Sequence, residues 1–190
     1  MRQHIALAAA LVIAATGSAI AAEGLSYDLL EGGYGYADLD NTTEHGDKFS
    51  VGGSVGMGER FFGFATLGTL DVSDLNLTGL SLGAGWHTAI SSSVDFLAGL
   101  SFELLDPEGG GASWTGYGAM VGVRGKAGDK LELDGAVKYA DLESGIDGLV
   151  FSAGSRYYFT EAFAAGLDIS LDDDADTTTF GLMFRYDFGR

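Results

Sequence analysis

At 190 residues the chain has room for one domain of ordinary size. It carries 31 glycines, one proline and no cysteine, with 46% apolar and only 19% charged residues; collagen, disordered acidic tails, disulfide scaffolds and thiol chemistry are excluded. Ten basic residues against 27 acidic ones give a formal charge of −17, which phosphate backbones repel, so no nucleic-acid partner is expected.

Residues 1–21 read as an export signal. Arg2 and His4 precede the apolar run Ile5–Ala15, and Thr16-Gly17-Ser18 breaks it. Ala19-Ile20-Ala21 then supplies a small-x-small pattern for cleavage after residue 21 or 22, leaving 22–190 as a single domain. The segment is too short and wrongly flanked for a retained membrane helix. No later stretch approaches the roughly 18–20 consecutive apolar residues of a spanning helix, so any entry into a membrane has to be by strands closed into a barrel.

Period-two alternation dominates the rest. Leu25–Ala37 changes parity near Leu29 and Leu30, which predicts a bulge or a strand that starts later. Phe49, Val51, Val55 and Met57 oppose Ser50, Gly52, Ser54 and Gly56, whereas Phe61–Leu70 alternates poorly. Leu80, Leu82, Ala84 and Trp86 oppose Gly79, Ser81, Gly83, Gly85 and His87; Val94 to Leu104 oppose Asp95, Gly99, Ser101 and Glu103. Similar runs follow at Tyr117–Val123, Leu131–Tyr139, Leu149–Phe159, Phe163–Leu171 and Phe180–Phe188. Each is about the 9–11 residues that a tilted strand needs to cross a bilayer. Eight runs are clean, and the two irregular ones bring the expected closed antiparallel barrel to ten strands.

The polar face separates a membrane barrel from a lipocalin-like soluble one. Arg124, Glu132, Asp134, Lys138, Arg156, Asp168 and Arg185 would be costly in a soluble core, whereas apolar residues outward and charges inward suit lipid around a small lumen. Tight turns are expected at Gly58–Arg60, Ile90–Ser93, Lys126–Lys130 and Thr160–Ala162. Longer polar loops are expected at Asp38–Asp47, Asp71–Asn76, Leu105–Ser113, Asp141–Gly148 and Asp172–Thr177. That alternation puts both termini in the periplasm and acidic loops outside the cell. Trp86, Phe159 and Phe163 on one rim, and Tyr36, Trp114, Tyr139 and Phe151 on the other, are expected as interfacial aromatics.

The inward charges Asp95, Glu103, Glu132, Asp134, Asp168 and Asp187 facing Arg124, Lys138, Arg156 and Arg185 predict a salt-bridged lumen with no continuous water path. The alternative takes the same residues as the lining of a narrow, cation-preferring channel. Inward glycines (Gly52, Gly56, Gly83, Gly85, Gly122) are packing room or a gap. Asp172, Asp174 and Asp176 begin like a calcium loop, but Thr177 stands where glycine is needed and Met183 where a bidentate glutamate belongs. A solvated acidic loop is the reading, with no metal or cofactor expected. His45, near Glu44 and Asp47, is the one loop histidine on which a surface hydrolase could rest. No motif supports a phosphate, zinc or serine-esterase site, so no enzymatic activity is expected. Asn41-Thr42-Thr43 and Asn76-Leu77-Thr78 match a glycosylation sequon and read as ordinary loop residues.

The last strand, with Thr179, Gly181, Phe184, Tyr186 and Phe188, is similar to the assembly signal of small Gram-negative outer-membrane β-barrels, the OmpA-, OmpX- and opacity-like group; here Gly189 and Arg190 follow the final aromatic. Leu25-Ser26-Tyr27, Glu31-Gly32-Gly33-Tyr34, Asp38-Leu39-Asp40 and Gly116-Tyr117 with Val121–Arg124 resemble a narrower subgroup once described as secreted quorum-sensing or immunity-eliciting proteins. The resemblance implies a monomer with a structural or surface role in the outer membrane. Its implied partners are outer-membrane lipid and lipopolysaccharide, the periplasmic chaperones and the barrel-assembly machinery. No family active site comes with it.

Overall fold

The computed structural model describes residues 22, 25–39, 45–73, 75–108, 112–143, 145–173 and 175–189. The export segment 1–21, the Asn41-Thr42-Thr43 sequon, Glu44 and Asp174 lie outside them. Ten strands run in order: β1 (Leu29–Leu39), β2 (His45–Met57), β3 (Phe61–Val72), β4 (Leu75–Ala89), β5 (Val94–Pro107), β6 (Trp114–Lys126), β7 (Leu131–Leu142), β8 (Ile146–Tyr158), β9 (Phe163–Asp172) and β10 (Thr177–Asp187). Each pairs with its chain neighbours, and β10 pairs antiparallel with β1, closing the barrel. No helix among the described residues is long and apolar enough to cross a membrane.

Closure leaves no edge, and every side chain points either to the outer face or into the lumen. The outer face is apolar: Tyr117 is 74% exposed, Leu100 69% and Leu167 65%. The fully buried side chains include Arg124, Arg185, Glu132 and Asp95. This inverts the soluble pattern and matches what hydrocarbon surroundings require.

The two irregular runs have separate explanations. β1 begins only at Leu29, with no bulge, and residues 25–28 turn into the barrel interior ahead of it. In β3 the alternation is regular, but its inward face carries Phe62 and Phe64, so both faces are apolar.

The expected long loops are a correction. The strands extend into each of those stretches, leaving connections of residues 40–44, 73–74, 108–113, 143–145 and 173–176. Connections at the two ends of the barrel are therefore of comparable length. Asp71, Asp106, Asp141 and Asp147 are exposed strand residues on the outer face near that rim. At the opposite end, which also holds both ends of the described chain, Gly58 and Gly128 adopt φ of 78° and 84° in the β2–β3 and β6–β7 turns, a conformation open to glycine without strain.

Among the expected rim aromatics, Tyr36, Tyr139, Phe151, Phe159 and Phe163 are exposed on the outer face. Trp114 differs. It faces inward and packs against a buried apolar cluster at the mouth of the lumen.

Candidate functional site: charged and apolar clusters inside the barrel

The chain-terminal end of the lumen is filled by charge. Glu31 on β1 brings two guanidinium groups together: its Oε1 accepts from Arg156 Nε of β8 at 2.9 Å and from Arg185 Nε of β10 at 2.6 Å. Arg185 Nη1 also reaches Glu132 Oε1 of β7 at 2.5 Å, and Arg124 Nε of β6 donates to that same oxygen at 2.7 Å. Since β1 and β8, like β7 and β10, are not adjacent in the sheet, the Glu31–Arg156 and Glu132–Arg185 bonds cross the lumen, whereas Glu31–Arg185 and Glu132–Arg124 join neighbouring strands along the wall. Arg156 bonds Asp134 as well and lies 3.3 Å from Asp168. The Tyr158 hydroxyl stands 3.1 Å from Glu132 Oε2 and 3.0 Å from Asp187 Oδ2, and Lys126 Nζ sits 3.5 Å from the centre of its ring. Buried charges persist only when paired and hydrogen-bonded like this.

The other half of this end is apolar and aromatic. Tyr27, Phe62, Phe64, Leu97 and Met120 form one buried cluster, and His87 stacks on Tyr27 with ring centroids 4.0 Å apart. A β-carbon at Gly85 would collide with Phe62, and one at Gly83 with Phe64. These inward glycines are thus packing room for phenylalanine rings and leave no gap. Residues 25–28 are held here from three sides. Arg124 Nη1 donates to the Ser26 carbonyl at 2.7 Å, Ser54 Oγ to the Tyr27 carbonyl at 3.0 Å, and the Tyr27 hydroxyl to Asp95 Oδ2 at 3.0 Å. Burial lifts the Tyr27 phenol above its ordinary range.

Midway along the barrel the lining is polar. Lys138 Nζ pairs with Glu103 Oε1 at 2.7 Å, and Ser81 Oγ donates to the same oxygen at 3.0 Å. A cavity bordered by Lys48, Ser50, Ser152, Ser170 and Thr179 reaches Asp134, Arg156 and Asp168 of the ionic network. At the far end, inward Ala37, Leu39, Leu70, Val72, Leu77, Leu105 and Leu142 meet as a second buried apolar cluster. That cap is the feature sequence reasoning missed most completely, because Leu39, Val72, Leu105 and Leu142 stand inside stretches read as polar loops.

All ten lumen charges expected from alternation face inward. Their pairing was less legible. Asp95 and Arg124 are opposite each other across β5 and β6, yet the guanidinium turns to Glu132 and the Ser26 carbonyl. Glu31, Lys126 and Tyr158 were missed. The signal for Glu31 was present, since outward Leu30, Tyr34 and Tyr36 fix its parity. Thr179 and Gly181 face inward while Phe184, Tyr186 and Phe188 face outward. Asp172 is buried, and its Oδ1 accepts from the Ala175 amide at 3.0 Å, capping a turn. Among the described residues no three carboxylates or imidazoles converge as a metal site would need. His45 is half exposed at the rim, with Nδ1 3.3 Å from Asp38 Oδ1 and its ring 5.1 Å from that of Tyr36, so among the described residues its carboxylate neighbour is Asp38.

No family model and no curated protein matches the chain. Solved structures do. The NanC porin aligns over 83% of this chain and 98% of its own at 7% identity, with a TM-score of 0.56. An outer-membrane channel from Pseudomonas putida F1 aligns over 85% and 96% at 8% identity, with a TM-score of 0.51. At such identities the likeness concerns architecture: this chain has the fold of an outer-membrane β-barrel.

Proposed function

We propose that this chain is a closed barrel of the outer membrane whose role is structural or lies in surface interaction, not in solute passage and not in catalysis. The observation that carries the reading is the ionic tie across the lumen, in which Glu31 of β1 holds Arg156 and Arg185 while Glu132 of β7 holds Arg124 and Arg185. A ten-stranded barrel is little wider than the eight-stranded size whose interior side chains alone can fill, and these five side chains with an inserted segment occupy it. The apolar cap at the far end adds a second obstacle, since a constriction of leucines excludes hydrated ions by dewetting. The termini lie on the periplasmic side and the acidic rim, with its neighbouring anionic lipopolysaccharide, faces outward. The narrower resemblance noted in the sequence is carried partly by Ser26, Tyr27 and Glu31, which all take part in the terminal seal.

Planar-bilayer recording of the detergent-folded protein tests this reading, with folding verified by a heat-modifiable gel shift. A silent bilayer is expected. Stable openings that favour cations would replace it with the channel reading. Catalysis at His45 is tested separately: any peptide- or lipid-hydrolysing activity lost in His45→Ala would overturn the non-enzymatic reading.

A further inference from the structure

Asp95 is fully buried at the chain-terminal end, and its close partners are the Ala22 amide nitrogen (2.9 Å to Oδ1), the Tyr27 hydroxyl (3.0 Å to Oδ2) and His87 Nδ1 (3.4 Å to Oδ2). The cation across the sheet from it, Arg124, is committed to Glu132 and the Ser26 carbonyl. Among the described residues this carboxylate therefore has hydrogen bonds but no arginine or lysine within salt-bridge distance, an expensive arrangement away from water.

We propose that the export segment is cut at the Ala21–Ala22 bond and that the new α-ammonium of Ala22 remains inside the barrel as the counter-ion of Asp95. Two independent observations meet there. Ala19 and Ala21 occupy the small-residue positions on the leaving side of that bond. Separately, the nitrogen that cleavage would free is the one already bonded to Asp95, on a residue only 3% exposed. A leader protease adds water across the amide: the C–N bond breaks, Ala21 leaves with the carboxylate, and Ala22 keeps an amine that takes up a proton. One N–H donor becomes a charged group with three. Cleavage one residue later would remove Ala22 and its bond with it.

The segment is built to keep its end in place. The Ala22 carbonyl accepts from the Leu25 amide at 3.0 Å, and Ser26 and Tyr27 are anchored by Arg124, Ser54 and Asp95. His87 is the competing counter-ion, stacked on Tyr27 beside the same carboxylate. Processing would then complete the electrostatics of the terminal seal, so that the fully neutralised plug exists only in the matured chain. The proposal goes beyond the closed-lumen reading and stands whether or not the barrel conducts.

The test begins with the intact mass of the protein purified from the outer membrane of expressing cells, which is expected to start at Ala22. Reductive dimethylation of the folded protein at neutral pH follows, with exposed Lys130 as internal reference. A free α-amine, with a pKa of about 8, reacts ahead of lysine under those conditions. The Ala22 amine is expected to react at least about tenfold more slowly than Lys130 when folded, to overtake it in urea, and to lose its protection in Asp95→Asn while keeping it in His87→Asn. A different N-terminal residue, an Ala22 amine as reactive as Lys130 in the folded wild type, or protection lost in His87→Asn but kept in Asp95→Asn would overturn the proposal. Wild-type labelling decides the matter alone if a variant fails to fold.

Discussion

Replacing Glu31 with glutamine keeps the side chain's size and removes one charge at the point where two guanidinium groups converge. In the wild type Arg185 approaches Glu31 Oε1 through Nε at 2.6 Å and Nη2 at 2.5 Å, and Arg156 reaches it through Nε at 2.9 Å. Both arginines are nearly inaccessible to solvent, so neither can recover the loss by turning to water. Breaking one partner out of a buried pair costs about 3–5 kcal/mol, because the remaining charge stays desolvated. With a urea dependence of about 2 kcal/mol per molar, the unfolding midpoint should fall by roughly 1.5–2.5 M. The assay is urea unfolding in lipid vesicles read by the heat-modifiable gel shift, with Asp106→Asn as an exposed rim control expected to stay within about 0.5 kcal/mol of wild type. Glu31→Leu combined with Arg185→Leu should recover much of the loss, since removing both charges leaves fewer groups uncompensated. A Glu31→Gln midpoint within about 0.3 M of wild type would refute the reasoning, for it would mean that Asp134, Asp168 and Glu132 satisfy the two arginines without Glu31.

Other consequences are equally direct. Gly85→Val should destabilise by about 1–3 kcal/mol through overpacking against Phe62, and Phe62→Ala in the same chain should relieve the clash, so that the two changes combine to less than their sum in a double-mutant cycle. Leu167→Arg, at an outward position 65% exposed, should cost up to about 2–4 kcal/mol in a bilayer if that site lies near mid-membrane, whereas a soluble barrel would tolerate it; equal stability of the two proteins in vesicles would count against a lipid-facing outer surface.

What the sequence made legible was the alternation, wherever one face was polar. Ser, Gly and charged residues against Leu, Val and Phe located eight strands and their facing, because lipid and lumen impose opposite chemistry on successive residues. The two weak runs fail for different reasons: on β3 the lumen is locally apolar, and at β1 a buried segment precedes the strand. Phe62 and Phe64 occupy the space that Gly83 and Gly85 leave open on the neighbouring strand, and Leu29 continues the buried segment that begins at Leu25. Polarity also misled about loops. Asp71, Asp141 and Asp147 mark the rim, where the outer face meets water, and not a break in the strand. The identity of the lumen charges followed from parity alone, but their partners depend on how the strands stagger around the closed barrel. Glu31 bonds a residue 154 positions away, a separation that no local pattern encodes.

On the closed-lumen proposal the apolar cap and the ionic plug stand in series, so conduction should require opening both. The cap is a ring of aliphatic side chains from β1, β3, β4, β5 and β7, and the terminal plug is ionic and aromatic, so they fail for different reasons. Leu105→Ser with Leu142→Ser wets the mouth and admits ions only as far as the polar middle, where Lys138 and Glu103 pair; the Arg–Glu network still lies beyond. Arg185→Ser opens space at the other end but leaves the leucine cap dry. Each set by itself should therefore be silent in a planar bilayer, and the three substitutions together should conduct, with the folded state of every variant verified by gel shift. Conduction from the Leu105/Leu142 pair alone would mean that the ionic network is porous to water and that the cap is the sole barrier. Conduction from Arg185→Ser alone would invert that assignment.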